Sequence, residues 1–197
     1  MVIGERIYKK HLNSFGIETE LFTAEDIFYY YFNESLFNKL QYRSGLSKNI
    51  YAINDDIYKL VEMDKPDLIW VFKRMELLPS TLRQLIKQGI ILVNYNPDNT
   101  FYFSSRGCGN INVTRSISLY DINYTYDRGV QKTILYQFKL PCFIFPFGFE
   151  LSSTSYERCT KQEEVLKPCF IGNPDKYLVH FLEKVADSIP LHVYGNH

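Results

Sequence analysis

Short, fully apolar runs separated by segments of helical length are the feature that most constrains the fold of this chain. A strand that is apolar at successive positions is buried on both faces, which is typical of a parallel sheet. Parallel strands also need long crossovers, and the segments between the runs are long enough to provide them. The runs lie at residues 67–72, 90–93, 142–145, 169–171 and 191–194, and the pattern at 122–125 also favours a strand.

The segments between these runs carry helix signals. Pro79 stands in the first turn of one predicted helix and Gly89 directly follows it, the usual order of start and stop residues. Helices are predicted over 5–15, 49–63, 79–88 and 174–187, and an edge strand over 17–22. Strands that alternate with helices predict an α/β fold, a Rossmann-like, doubly wound and mostly parallel sheet.

The chain of 197 residues has room for one domain and part of another. Residues 151–168 are polar and contain no apolar run, so we interpret them as a connection between domains. The prediction is an N-terminal Rossmann-like domain at 1–150 and the beginning of a second domain at 169–197. The alternative is that the last strand–helix–strand unit joins the first sheet.

Composition excludes several classes of protein. Lys and Arg number 22, as do Asp and Glu, and this zero net charge argues against a dedicated nucleic-acid binder. No apolar run approaches the ~20 residues of a membrane span, and the first residues lack the apolar core of a signal peptide. The four cysteines form no CxxC pair, which argues against zinc. Cys142 and Cys169 are predicted to be buried, and we expect a cytoplasmic protein with no membrane span.

Aromatic residues are abundant, with 16 Tyr and 15 Phe. Tyrosine suits a moist cleft or interface because its ring is apolar and its tip is polar. The alternative explanation of the surplus is a coding bias towards AT-rich codons. The well-known nucleotide and nucleophile motifs are missing, since the sequence has no GxGxxG after a strand, no GxxxxGK[ST] and no GxSxG.

Residues that follow the predicted strands are the candidate site, because ligands of open α/β sheets bind beyond the carboxyl ends of the strands. Lys73 follows the first run, where its ammonium could meet a phosphate or simply lie at a solvated strand end. Residues 96–99 (Asn-Pro-Asp-Asn) follow the second run. Two interpretations of these four residues stay open. In the first, they form a type I turn whose side chains hydrogen-bond to the local backbone. In the second, Asp98 lies at the cleft and accepts a hydrogen bond or a proton from a sugar hydroxyl.

Two loops with small residues follow the last two strands. Gly172 and Asn173 precede Pro174, and a small residue there lets a phosphate or ribose approach the backbone N–H groups at the helix start. A tight turn without a ligand is the alternative. Gly195 and Asn196 hold the equivalent position one unit later, followed by His197, whose imidazole titrates near neutral pH.

Several loose motifs follow one another along the chain. They are Pro66 to Lys73 (PDLIWVFK), Leu78 to Leu82 (LPSTL), Gly89 to Asp98 (GIILVNYNPD), Tyr120 to Thr125 (YDINYT), Pro146 to Phe149 (PFGF), Phe170 to Gly172 (FIG) and Val193 to Gly195 (VYG). In their order and spacing these motifs resemble the glycosyltransferase-like family of the spore-maturation type, and the resemblance covers about residues 60–197.

The resemblance implies a GT-B architecture, with an acceptor-side domain and a donor-binding domain, a nucleotide-sugar as substrate, an unknown acceptor, and neither metal nor cofactor. The chain would hold the first domain and only the beginning of the second, so we expect it to be inactive by itself. A non-catalytic Rossmann-like binding module is the alternative. The predicted site comprises Asp98 as the catalytic residue, Lys73, Asn96, Asp98, Asn99, Phe147 and Gly148 on the acceptor side, and Gly172, Asn173, Gly195, Asn196 and His197 on the donor side.

Overall fold

The computed structural model of the chain describes residues 3–44, 47–73, 76–101, 111–146, 148, 153–160, 166–172 and 176–195. The chain divides into two compact units, Met1–Phe149 and Glu150–His197, called here the first and the second unit. The helices of the first unit are α1 (Ile3–Ser14), α2 (Glu25–Glu34), α3 (Leu36–Ser44), α4 (Lys48–Asp64), α5 (Pro79–Lys87), α6 (Ile111–Ser116) and α7 (Arg128–Thr133). Its strands are β1 (Leu68–Phe72), β2 (Ile91–Tyr95), β3 (Ile122–Thr125) and β4 (Cys142–Ile144).

These four strands form one parallel sheet in the order β1-β2-β3-β4. Leu68 lies opposite Ile91, Val93 opposite Ile122, and Asn123 opposite Cys142. The apolar runs of the sequence are therefore neighbouring parallel strands, and the prediction of an α/β fold with a parallel sheet is confirmed. A short 3₁₀ turn (Ile117–Leu119) precedes β3, and a π-helical turn (Ile134–Phe138) continues α7.

The sheet has two different faces. Val71, Asn94, Asn123 and Cys142 follow one another across it, so they share one face, the helix face. Val71 packs in a core cluster with Leu82 and Leu85 of α5. Cys142 packs in another cluster with residues of α7 and of the π-helical turn. The crossover helices α5 and α7 thus lie on the same side, as right-handed crossovers in one direction require.

The opposite face, the aromatic face, carries Trp70 and Phe72 of β1 and Tyr95 of β2. Tyr8 of α1 contacts it, with its ring centroid 5.2 Å from that of Trp70. Helices therefore lie on both faces of the sheet. In a doubly wound sheet the order of the strands also reverses at one point. The order described here, β1-β2-β3-β4, proceeds across the sheet without such a reversal. The doubly wound arrangement of the sheet and the GT-B architecture therefore stay predictions.

Helix α5 shows why the sequence signals for a helix were sufficient. It begins at Pro79, and Gly89 follows it with a φ of +80°, a conformation that favours glycine. The Gly89 N–H donates to the carbonyl of Ile86 (3.0 Å), which closes the last turn. Leu82 and Leu85 are completely buried against β1 and β2.

Asn54 joins α4 to the segment before α5. It is 5% exposed, and its side-chain amide donates to the carbonyls of Ile50 (2.7 Å) and Glu76 (2.8 Å). Its Oδ1 accepts a hydrogen bond from the Leu78 N–H at 2.9 Å. One polar side chain thus satisfies three backbone groups, two of them in another segment.

Replacing Asn54 with alanine is expected to lower the free energy of unfolding by about 1–3 kcal/mol, because the Leu78 N–H loses its acceptor inside the protein. Urea unfolding followed by circular dichroism measures this change. Met63→Ala, in the same helix at a side chain that is 78% exposed, is the matched control and should change stability by less than about 0.5 kcal/mol. Equal effects of the two substitutions would contradict the role given to Asn54.

The second unit contains α8 (Ser153–Thr160), β5 (Cys169–Ile171), α9 (Lys176–Ala186) and β6 (His192–Tyr194). Its two strands pair in parallel in a sheet of their own, with Phe170 opposite Val193. Helix α9 is the crossover between them. No helix in the described part of the chain is long and apolar enough to cross a membrane.

Three expectations from the sequence were wrong or incomplete. Residues 17–22 form no strand, although their pattern alternates. Cys169 is exposed, because the sheet that the described residues of the second unit form has two strands and no residue of α9 is buried. Cys142 is buried as predicted. The polar connection predicted at 151–168 contains the helix α8.

Candidate functional site

The four parallel strands of the first unit end at one edge of their sheet, called here the carboxyl edge. Lys73 directly follows β1, Asn96 follows β2, Tyr126 follows β3 and Phe145 follows β4. Hydrogen bonds continue the ladder by one residue beyond the strands, since the Lys73 N–H donates to the carbonyl of Tyr95 (2.9 Å) and the Asn96 N–H donates to that of Tyr124 (3.1 Å). The residues predicted after the first two strands are therefore neighbours in space.

Lys73 and Asp98 form an ion pair at this edge, joining Nζ to Oδ2. The side chains are 33% and 29% exposed, so both are partly buried but still reach solvent. The backbone N–H of Lys73 donates to the carbonyl of Tyr95 (2.9 Å), which fixes the start of its side chain beside β2. The pair therefore offers an ammonium donor and a carboxylate acceptor side by side.

The loop of residues 96–99 uses its amides to hold its own backbone. Asn96 is 3% exposed, and its Oδ1 accepts a hydrogen bond from the Asp98 N–H at 2.9 Å. Asn99 Oδ1 accepts from the Phe101 N–H at 3.0 Å. These are turn contacts, as the local interpretation expected. Their effect is to place Asp98 against Lys73, while a role for Asn96 and Asn99 in lining a cleft stays a prediction.

An aromatic cluster lies beside the carboxyl edge, on the aromatic face of the sheet. The Tyr95 ring packs edge-on against Phe72 (4.8 Å between centroids) and Phe145 (5.3 Å). Tyr8 of α1 lies 6.1 Å from Phe72 and 6.0 Å from Phe145. Sequence reasoning missed this cluster. The alternate positions of Trp70 and Phe72 in one strand were a signal for a shared face, but nothing in the sequence placed α1 on it.

Burial raises the pKa of two ionisable groups of this sheet, so both stay protonated to a higher pH than usual. The completely buried Tyr95 has its pKa raised to about 12, mainly by burial and further by the nearby Tyr8 and Tyr126 hydroxyls. Burial raises the pKa of the Cys142 thiol to about 11. Burial also raises the pKa of Tyr120 above its ordinary value.

Stability is therefore expected to fall as the pH rises from about 9 to about 12. Because the pKa values are higher in the folded protein, the unfolded chain loses these protons at a lower pH. The groups therefore contribute their full stability below their pKa values in the unfolded chain, and this contribution is lost as the pH rises towards their pKa values in the folded protein. Urea unfolding at several pH values measures this decrease. Tyr95→Phe removes one of the groups, so the decrease between about pH 10 and 12 should be shallower in that variant. A free energy of unfolding that stays constant up to about pH 11 would contradict the burial effect.

The remaining acceptor-side residues follow β4. Gly148 lies in the first unit and is exposed, and an added Cβ there would meet no atom within 4 Å. Phe147 lies outside the described residues. The predicted roles of both stay predictions.

The described donor-side residues lie in the second unit. Gly172 follows β5 and Gly195 follows β6, so both stand at the carboxyl ends of paired parallel strands. The Gly172 N–H donates to the carbonyl of Tyr194 (2.9 Å), and its φ of +151° is one that side chains rarely adopt. An added Cβ would also lie 3.3 Å from the Phe170 ring, so the backbone itself accounts for this glycine. Asn173, Asn196 and His197 lie outside the described residues.

A groove of about 580 Å³ lies at the opposite edge of the first sheet, where β1 and β2 begin. Lys65, Asp67, Gln88 and Glu62 are among the residues that line it. Gln88 Nε2 donates to Glu62 Oε1 at 3.0 Å, so these polar groups connect α5 to α4. Within the residues that the structure describes, no three His, Cys, Asp or Glu side chains come together to hold a metal ion.

No model of a known protein family matches this sequence, and no curated protein matches it either.

Proposed function

We propose that the first unit binds the acceptor in a glycosyl transfer reaction, in which a sugar passes from a nucleotide-sugar to a hydroxyl group of that acceptor. The observation that carries the proposal is the partly buried ion pair of Lys73 and Asp98 at the carboxyl edge of a four-stranded parallel sheet. Ligands of such sheets bind at this edge, and a charged pair with one acceptor and one donor suits a hydroxyl-bearing ligand. The resemblance to the spore-maturation type of glycosyltransferase supports the same reaction.

Asp98 is the general base in this proposal. Its carboxylate accepts the proton of the acceptor hydroxyl while that oxygen bonds to the anomeric carbon of the donor sugar. The bond between this carbon and the diphosphate oxygen breaks, and the nucleoside diphosphate leaves with the electron pair. Lys73 holds the carboxylate in place, because its ammonium pairs with Oδ2.

The donor side of the proposal is the second unit, as the beginning of a GT-B donor-binding domain. Gly172 and Gly195 stand at the carboxyl ends of the paired strands β5 and β6, the end at which a diphosphate approaches a parallel sheet. No metal or cofactor takes part, since helix dipoles and basic groups stabilise the leaving diphosphate. Cys142, Cys159 and Cys169 are free thiols, which suits the reducing cytoplasm in which we place the reaction.

The test uses the full protein that the natural gene encodes. It is incubated with UDP- and GDP-sugars and a panel of neutral and phosphorylated saccharides, and the released nucleoside diphosphate and the mass of the product are measured. The proposal predicts a saccharide one sugar longer and an equal amount of diphosphate. Saccharide binding without any transfer would overturn the catalytic proposal. Neither binding nor transfer would overturn the acceptor site as well and would favour the non-catalytic binding module.

A further inference from the structure

Lys73 has a backbone conformation that costs free energy. Its φ is +42°, in the left-handed region that residues with a Cβ avoid. Lys65 and Lys139 also have positive φ, but each ends a helical segment, where this conformation is the common way to stop. Lys73 follows the strand β1 and caps no helix, so its strain has no such explanation.

The ion pair with Asp98 is a weak reason for keeping a lysine there. Both side chains are about one-third exposed, and ion pairs that reach solvent contribute little net stability. Glycine adopts a positive φ without the steric cost and would keep the hydrogen bond from the residue 73 N–H to the carbonyl of Tyr95. A strained residue that stability does not explain points to a functional side chain.

The chemistry of the pair indicates which ligand this side chain serves. The positive charge of Lys73 is balanced by Asp98, so the pair as a whole has no net charge with which to attract a phosphate. A phosphate would also face the carboxylate directly. The next acidic residue along this edge, Asp127, caps a helix instead, because its carboxylate accepts hydrogen bonds from the N–H groups of Gly129 (2.6 Å) and Val130 (3.0 Å) in α7. An ammonium beside a carboxylate matches two neighbouring hydroxyls, one accepting and one donating.

We infer that Lys73 is the specificity-determining residue of the carboxyl edge, and that it acts with Asp98 as one unit that binds two adjacent hydroxyl groups of an uncharged saccharide. This inference rests on the acceptor site of the proposed function and adds the charge class of the acceptor. Lys73 donates to one hydroxyl oxygen and Asp98 accepts from the neighbouring hydroxyl. The strain of Lys73 is the cost in stability of placing the ammonium there.

The experiment measures the affinity of the chain and of three variants for glucose, galactose, N-acetylglucosamine and glucose 6-phosphate by NMR titration, and their unfolding midpoints by scanning calorimetry. The unchanged chain should bind at least one neutral saccharide about 10-fold more tightly than glucose 6-phosphate. Lys73→Gly should unfold at the same temperature or up to about 4 °C higher, while its affinity for that saccharide falls at least about 10-fold. Lys73→Met should lose the affinity as well, and Lys73→Arg should retain more of it than either.

Each outcome bears on the inference. Saccharide binding that Lys73→Gly leaves unchanged would overturn the role of Lys73, while the glycosyl transfer proposal would stand. A preference for glucose 6-phosphate would overturn the charge class. If the unchanged chain bound none of the four sugars, both this inference and the acceptor site of the proposed function would fall. A lower unfolding midpoint for Lys73→Gly would show that the lysine has a structural role and would contradict the inference.

Discussion

Replacing Asp98 with asparagine is expected to lower the rate of sugar transfer by about 10²- to 10⁴-fold, the usual contribution of a general base. Asparagine has the same shape but accepts no proton from the acceptor hydroxyl. The fold should survive the change, because the hydrogen bond from the residue 98 N–H to Asn96 belongs to the backbone. The rate of nucleoside diphosphate release in the full protein, with a neutral saccharide as acceptor, is the measurement.

Asp64→Asn is the matched control for this substitution. It changes the charge equally, but Asp64 is exposed at the last residue of α4, before the strands begin. Transfer in this variant should stay within about twofold of the unchanged protein, because exposed substitutions away from a site have small effects. Transfer that Asp98→Asn leaves intact, in a protein that does catalyse transfer, would remove Asp98 from the chemistry.

Leu82→Ala is expected to cost about 2–5 kcal/mol of stability, the largest effect on folding that we predict. Leu82 is completely buried in the core cluster that joins α4, α5, β1 and β2, with Val71 and Leu92 among its members. Alanine leaves a cavity that these neighbours cannot fill, since protein interiors are close-packed. Urea unfolding of the chain followed by tryptophan fluorescence reports the change, because Trp70 lies in β1.

Ile86→Ala provides the comparison within the same helix. Its side chain is 42% exposed, so the substitution removes less buried surface and should cost clearly less than Leu82→Ala. Both variants carry alanine, which keeps the helix propensity comparable. Similar losses at the two positions would mean that α5 does not pack on the sheet through Leu82.

The fold of the first unit could be predicted where burial dictates the sequence. Strand β2 is buried at four successive positions, and β1 is buried at Val71 and partly buried at three further positions, so their apolar runs were visible without any knowledge of their partners. Helix α5 was equally clear, because Pro79 and Gly89 delimit it chemically. The prediction of a strand at 17–22 was wrong because a short alternating pattern does not supply a partner strand, and a strand needs one to satisfy its backbone.

Helices α2 and α3 were not foreseen, since their apolar positions are not confined to a buried stripe. Phe37 and Leu40 of α3 are each 64% exposed, and Tyr30 of α2 is 78% exposed. A pattern of hydrophobic residues predicts a helix only where the core selects one face of it. The exposed residues of these two helices are not under that selection.

The candidate site could be predicted as a set of positions, but its contacts could not. Lys73 and Asp98 were placed after their strands by the general rule for open α/β sheets. Their ion pair depends on the register of β1 with β2, on the left-handed backbone of Lys73 and on the turn contact between Asn96 and Asp98. Each of these is a property of the folded chain. The position of Tyr8 against Phe72 likewise depends on tertiary packing that no local pattern encodes.

Saccharide binding at the carboxyl edge can be tested by mapping which backbone amides of the isotope-labelled chain shift in NMR spectra when a neutral saccharide is added. We expect the shifts to cluster at the carboxyl edge, at Lys73, Asn96, Asp98 and Tyr126. The groove at the opposite edge of the sheet provides the contrast within the same unit. Shifts confined to Lys65, Gln88 and Gly89, or no shifts with any saccharide, would contradict a saccharide site at the carboxyl edge.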